Sequence, residues 1–341
     1  MWAPNQFMDS LYKKTLKDNN VYTEDWKQNV IVKLRESLGD FGENDISLEP
    51  NVIEEKDFED YSRLRIEITT LDQLKMPVYV LKPKGSNQKK LPAVLAIHGH
   101  GYGSKEVVGL LPDGTENEGN PGIHKNFAVE LVRKGFIVFA PELIGFGDRK
   151  MSEDHPGVSP NDNSCYTLAS HLLLYGKTLP GLRIYECSRV IDFIMTMEEI
   201  DQGKIGCMGL SGGGLVAAYT SVLDDRVKAT VISGYTNTFK GSIMDRRHCL
   251  DNYIPGVLQY AEMPELIGLS APRPLFIESG ISDHLFPKNE VEIAIKRITE
   301  IYKQFHAENL IDHHFFQGGH EINGEKSYDW LANVLQLAER R

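Results

Sequence analysis

The sequence predicts an α/β fold built on a mostly parallel sheet with helices on both faces. Three observations carry that reading. Apolar runs such as "PAVLAIHG", "GFIVFAPE" and "VKATVIS" read as strands buried on both faces. They alternate with stretches of helical period, most clearly "GLRIYECSRVIDFIMTMEEID", where Ile184, Cys187, Ile191, Ile194 and Met195 form one stripe. The chain has 341 residues, 41% of them apolar, which suits a substantial core in one domain with insertions.

Residues 1–60 read as an N-terminal helical extension. Trp26, Val30, Leu34 and Leu38 recur every fourth residue, and Gly39 follows as a stop signal. The acidic sequence beyond it reads as loop as far as Asp60. From Tyr61 the period changes. "LRIEITT" and "MPVYVLKP" are joined by a connection too short for a parallel crossover, so they pair antiparallel. Then come the strand "PAVLAIHG", a helix over about 125–134, the strand "GFIVFAPE" and the striped helix. "KIGCMG" is a strand, "GGLVAAYTSVL" a helix, and "VKATVIS" and "RPLFIESG" are strands. A helix from about Asn289, the strand "NLIDHHFFQGG" and a helix over about 325–337 complete a catalytic domain over 61–341, of eight-stranded type. Three long irregular stretches interrupt it, about 101–122, 145–178 and 234–270. Loops of that length in a compact domain are functional rims or lids, and the last is read as a loop insertion.

The net charge of −11 argues against nucleic acid, whose phosphates require a basic face. The start "MWAPNQFMDSLYKK" lacks the apolar run and cleavage site of a secretory signal, and no apolar run reaches about 18 residues. A cytoplasmic protein without a membrane partner is expected, with the N-terminal extension as a candidate surface for a homo-oligomer. Cys165, Cys187, Cys207 and Cys249 have no metal-like spacing and read as reduced, buried small residues. His98 and His100 in "HGH" could hold a metal, but no HExxH pattern or carboxylate partner is visible, so no metal or other cofactor is expected.

The chemistry centres on Gly209-Leu210-Ser211-Gly212-Gly213, a G-x-S-x-G pattern between a buried strand and a helix. A serine on so sharp a turn is exposed to substrate, and its neighbours must be tiny for strand and helix to approach. A phosphate-binding reading fails because the GK[ST] ending of a P-loop is missing. A serine nucleophile needs a base, and the base an orienting carboxylate. Asp283 follows the strand "RPLFIESG" and His320 follows the next strand, so both loops share the sheet edge that bears Ser211. Gly212 N–H, directly after the nucleophile, is one expected oxyanion donor. The second is expected from His98-Gly99-His100-Gly101, at His100 or, one residue on, Gly101. Tyr102, beside that loop, is a candidate lining residue of the acyl pocket. Asp148 and Asp192 are read as residues that pin loops or cap helices.

With these residues in place, the chain resembles a bacterial serine esterase of the α/β-hydrolase superfamily, in its dienelactone hydrolase-like and acetyl xylan esterase-like branch. "AIHGHG", "GFIVFAPELIGFGDR", "RVIDFIMTMEEIDQGKIGCMGLSGGG", "LSAPRPLFIESGISDHLFP" and "GGHE" carry the likeness. It implies an α/β-hydrolase fold, Ser211, Asp283 and His320 as the triad, and carboxylic ester hydrolysis. Serine replaces the cysteine nucleophile of dienelactone hydrolases proper. Small acetyl-type esters are the expected substrates. The same triad would also serve a small amidase or peptidase, a thioesterase or an acyltransferase. A non-catalytic binding protein on this fold would be expected to lack a triad member, and none is missing.

Overall fold

The computed structural model of the chain describes residues 2–15, 21–42, 45–85, 90–155 and 159–337. Nine strands are found among them: β1 Asn51–Asp57, β2 Tyr61–Leu71, β3 Leu74–Pro83, β4 Leu91–Ile97, β5 Ile137–Pro141, β6 Ile200–Leu210, β7 Val227–Ser233, β8 Leu275–Gly280 and β9 Ile311–Phe316. The helices are α1 Asn5–Thr15, α2 Glu24–Leu38, α3 Ser104–Val107, α4 Phe127–Arg133, α5 Cys165–Leu174, α6 Leu179–Ile194, α7 Gly212–Leu223, α8 Met263–Gly268, α9 Lys288–Gln304 and α10 Ser327–Leu337. No helix among the described residues is long and apolar enough to cross a membrane.

The strands form one sheet in the order β1-β2-β3-β5-β4-β6-β7-β8-β9. β1, β2, β3 and β5 pair antiparallel, and every pairing from β5 through β4 to β9 is parallel. β4 lies between β5 and β6, so the chain leaves β4 first toward one edge and later toward the other. Such a reversal opens a crevice at the carboxyl ends of the two central strands. The loop after β4 and the corner after β6 both lie there.

Successive side chains of a strand face opposite sides, and the two faces of the sheet carry two separate apolar clusters. Ala93, Leu95 and Ile97 of β4 join a cluster with α2, α6, α7, α8 and α9. Val94 and Ala96 join the other with α4 and α10. The striped helix places Ile184, Cys187, Ile191 and Ile194 in the first cluster. Its Gly181 permits a close approach, since a Cβ there would lie 2.3 Å from Leu38 O.

The segment read as a helical extension ends in a strand of the sheet. β1 pairs with β2 from Asn51 to Asp57, yet all seven of its residues are exposed. Held by its backbone ladder and by polar side-chain contacts such as Lys56–Glu116, an edge strand with no buried face leaves no period of two in its sequence. α2 is tied in as well. Thr23 Oγ1 caps it by accepting from Trp26 N, and Val30, Leu34 and Leu38 are buried in the sheet's own core.

Candidate active site

Ser211 joins β6 to α7 with φ 56° and ψ −122°, outside the regions an L-residue adopts freely. Three glycines make the corner possible. A Cβ on Gly209 would lie 2.2 Å from Gly213 O, one on Gly213 2.2 Å from Ile97 O, and one on Gly99 2.6 Å from Leu210 O. β6, α7 and the loop after β4 therefore meet backbone to backbone. The turn is anchored by Ser211 N–H, which donates to Ser233 O at 2.9 Å.

The structure brings the two predicted partners together. Asp283 is buried and its Oδ2 lies 2.7 Å from His320 Nδ1. Its Oδ1 accepts the N–H groups of Leu285 at 2.8 Å and Phe286 at 3.0 Å, which fixes the carboxylate plane. Phe286 stacks on the His320 ring at 5.6 Å. The other side of the ring rests on Gly234, whose Cβ position would be 3.1 Å from His320 Cε1 and 3.2 Å from Leu210 Cδ1. His320 thus stands next to the Leu210–Ser211 corner, although no hydrogen bond joins Ser211 Oγ to its ring among the described residues. Catalytic hydrogen bonds are often long in a substrate-free site. Buried Glu278 secures the segment after His320. Its carboxylate accepts from Asn323 N, Gly324 N and Ser327 Oγ, each at 2.9 Å, and from Ser233 Oγ at 2.7 Å.

The loop after β4 is held by two buried histidines. His98 Nε2 accepts from Leu143 N at 3.0 Å, which leaves the proton on Nδ1 facing Gly99 O at 2.8 Å. Burial lowers its pKa to about 3, so the ring is neutral. His124 Nε2 accepts from Gly99 N at 2.9 Å, with Glu106 Oε1 2.9 Å from its Nδ1. The N–H groups of Gly212, His100 and Gly101 have no partner among the described residues. His100 lies beside the corner, its Nδ1 3.4 Å from the Cβ position of Gly212. A Cβ on Gly101 would instead meet Glu106 Oε2 at 2.2 Å and His124 Cε1 at 3.4 Å. Tyr102 is tied up: its hydroxyl donates to Leu110 O at 3.0 Å, and its N–H points to Glu106 Oε2 at 3.4 Å.

Asp148 pairs with Arg65 and, at 3.0 Å, with Lys105, while Asp192 pairs with Arg189 at 2.5 Å and Arg226 at 2.6 Å. Both pin neighbouring segments, as the sequence reading expects. The carboxylate partner that the HGH segment seemed to lack does exist. Asp251 Oδ2 lies 3.3 Å from His100 Nε2, with Cys165 and Cys249 close by. Burial works most strongly against charging His100, but the Asp251 carboxylate and Cys165 together outweigh it and leave the imidazole above its ordinary pKa. Cys165 lies in one long loop region and Cys249 and Asp251 in another, so no local spacing announced this meeting. A cleft of about 720 Å³ along α2, α6 and α7, and one of about 300 Å³ between α1 and residues 239–259, include none of Ser211, Asp283 and His320 in their walls.

Residues 10–323 match the model of the abhydrolase family. The chain is 30% identical over 270 residues to the "Putative hydrolase YtaP" of Bacillus subtilis (strain 168), covering 78% of this chain and 84% of that one. The crystal structure of a "putative acetyl xylan esterase" from Bacteroides fragilis NCTC 9343 is similar with a TM-score of 0.76 at 16% identity, over 93% of this chain and 83% of that one. A glucuronoyl esterase from Solibacter usitatus is similar with a TM-score of 0.65 at 14% identity, over 92% and 94%.

Proposed function

The chain belongs to the abhydrolase family, and on that premise we propose that it is a serine carboxylesterase that hydrolyses small acetyl-type esters through an acyl-enzyme on Ser211. The observation that carries this reading is the Asp283–His320 pair standing beside a serine held at φ 56°. The names of the structural neighbours, acetyl xylan esterase and glucuronoyl esterase, support an ester as the substrate.

In this mechanism His320 Nε2 takes the proton from Ser211 Oγ as the oxygen attacks the ester carbonyl. Asp283, itself oriented by Leu285 and Phe286 N–H, keeps the other ring proton on Nδ1 and stabilises the imidazolium. The negative charge on the carbonyl oxygen develops at the start of α7, where the helix dipole favours it. The N–H groups of Gly212 and His100 bind that oxygen, each donor lowering the barrier by about 3 kcal/mol. Gly101, one residue on, is the alternative second donor. His320 then returns the proton to the leaving alcohol, and in the second half activates the water that releases the acid.

The test is hydrolysis of p-nitrophenyl esters of increasing chain length by the wild type and Ser211→Ala. The wild type is expected to turn over the acetyl ester fastest and the variant to be inert. A folded wild type without activity, or a variant that matches it, would refute the proposal.

A further inference from the structure

A second cluster of reactive side chains lies beside the serine corner and has no part in the mechanism above except through the backbone of His100. It is assembled from three distant segments: His100 in the loop after β4, Cys165 at the start of α5, and Cys249 with Asp251 in the turn before α8. One donor atom from each of these four residues lies within 4.8 Å of the other three.

One separation within this group matches a tetrahedral metal site, and the other donor atoms are close enough to converge on the same ion. Zinc binds histidine nitrogen and carboxylate oxygen at about 2.0–2.1 Å, which puts two such ligands about 3.3 Å apart. His100 Nε2 and Asp251 Oδ2 are separated by 3.3 Å. That Nε2 is buried from solvent, makes no hydrogen bond, and faces the Asp251 carboxylate across the cluster.

The surroundings are those of a supported ligand set. Arg183 Nη1 donates to Asp251 Oδ2 at 2.5 Å and its Nη2 to Cys165 Sγ at 3.1 Å. Asn252 Nδ2 donates to Asp251 Oδ1 at 2.8 Å, and Phe146 packs edge-on against the His100 ring at 5.1 Å. Outer partners of this kind orient ligands and hold them in the anionic form. Two thiolates and one carboxylate carry three negative charges. Arg183 and a divalent cation carry three positive ones, so the filled site is neutral. Thiolates also select a soft cation over magnesium or calcium.

We propose that His100, Cys165, Cys249 and Asp251 bind one zinc ion. The ion staples the loop that presents the His100 N–H to α5 and to the turn at 249–252. It holds that loop without taking part in bond making at Ser211. Metal binding here is independent of the esterase reading, and Ser211→Ala should bind the ion as the wild type does.

The experiment uses the full chain, reduced and stripped with chelator, then titrated with Co²⁺ as a spectroscopic probe. The expected result is one equivalent bound with thiolate-to-cobalt charge-transfer absorption, displaced by one equivalent of Zn²⁺. Cys165→Ser and Cys249→Ser should each weaken the band and lower affinity at least about 100-fold, more than the loss of an outer partner does. X-ray absorption at the zinc edge of the loaded wild type needs no variant and should count two sulfur neighbours. The proposal is overturned if the reduced wild type gives no charge-transfer band, or if zinc shows no sulfur neighbour. It is equally overturned if the band survives intact in both cysteine variants, or if freshly purified protein carries a Cys165–Cys249 disulfide.

Discussion

Replacing Ser211 with glycine is expected to stabilise the folded chain while abolishing turnover, and replacing it with alanine to abolish turnover without that gain. Both substitutions delete the same hydroxyl, which has no hydrogen-bond partner among the described residues. They differ in the backbone. At φ 56° and ψ −122° the residue sits outside even the left-handed helical well, a conformation that costs a side-chain-bearing residue about 1–3 kcal/mol. Glycine removes that cost and adds freedom to the unfolded chain worth about 0.4–1 kcal/mol in the other direction. The difference leaves the glycine variant about 1 kcal/mol more stable than the alanine variant. Urea unfolding of the two variants side by side, compared at equal slope, measures this directly. A glycine variant no more stable than the alanine variant would refute the claim that the corner stores strain.

Asp283→Asn should leave the fold intact and lower kcat for ester hydrolysis roughly 10⁴-fold, because the amide no longer holds the required tautomer of His320; stopped-assay kinetics with KM determined separately checks it. Glu142 offers a stability test. Its carboxyl is buried against Ser104, and burial raises its pKa from 4.5 to about 7. The stability tied to the neutral form is therefore complete below pH 4.5 and is lost as the pH rises through 7, a change of about 3 kcal/mol. Glu142→Gln should match the wild type near pH 4.5 and exceed its stability by about that amount at pH 8, and a gap independent of pH would exclude this explanation. Gly213→Ala would place a Cβ 2.2 Å from Ile97 O and 2.4 Å from His98 O, both backbone atoms, so a loss of about 3 kcal/mol in unfolding free energy, read by urea unfolding, is expected.

Much of the architecture was readable from local pattern. Buried strands such as "VKATVIS" and the helical stripe through Ile184 and Ile191 declare themselves because burial imposes a period on them. The corner at Ser211 was readable because close backbone approach demands glycine at positions near in sequence. β1 was not, since "NVIEEKD" is exposed on both faces and buries no side chain that would impose a period. Asp283 and His320 could be placed because each follows a recognisable strand, and topology brings those strand ends together. Asp251 follows no strand end. It reaches His100 by way of the long stretch 234–270, where short irregular turns carry no period and only the folded chain shows their direction. The roles of His98 and His124 were hidden for a related reason: each braces a backbone N–H from a distant segment.

Covalent trapping tests the central claim, that Ser211 is made nucleophilic by His320 and Asp283, most directly. The wild type and His320→Ala are incubated with an activated alkyl phosphonate, and the modified peptide is mapped by mass spectrometry. One adduct on Ser211 in the wild type, forming far more slowly in His320→Ala, is the expected result. A folded wild type that takes up no phosphonate, an adduct on another residue, or equal labelling rates in the two proteins would contradict it.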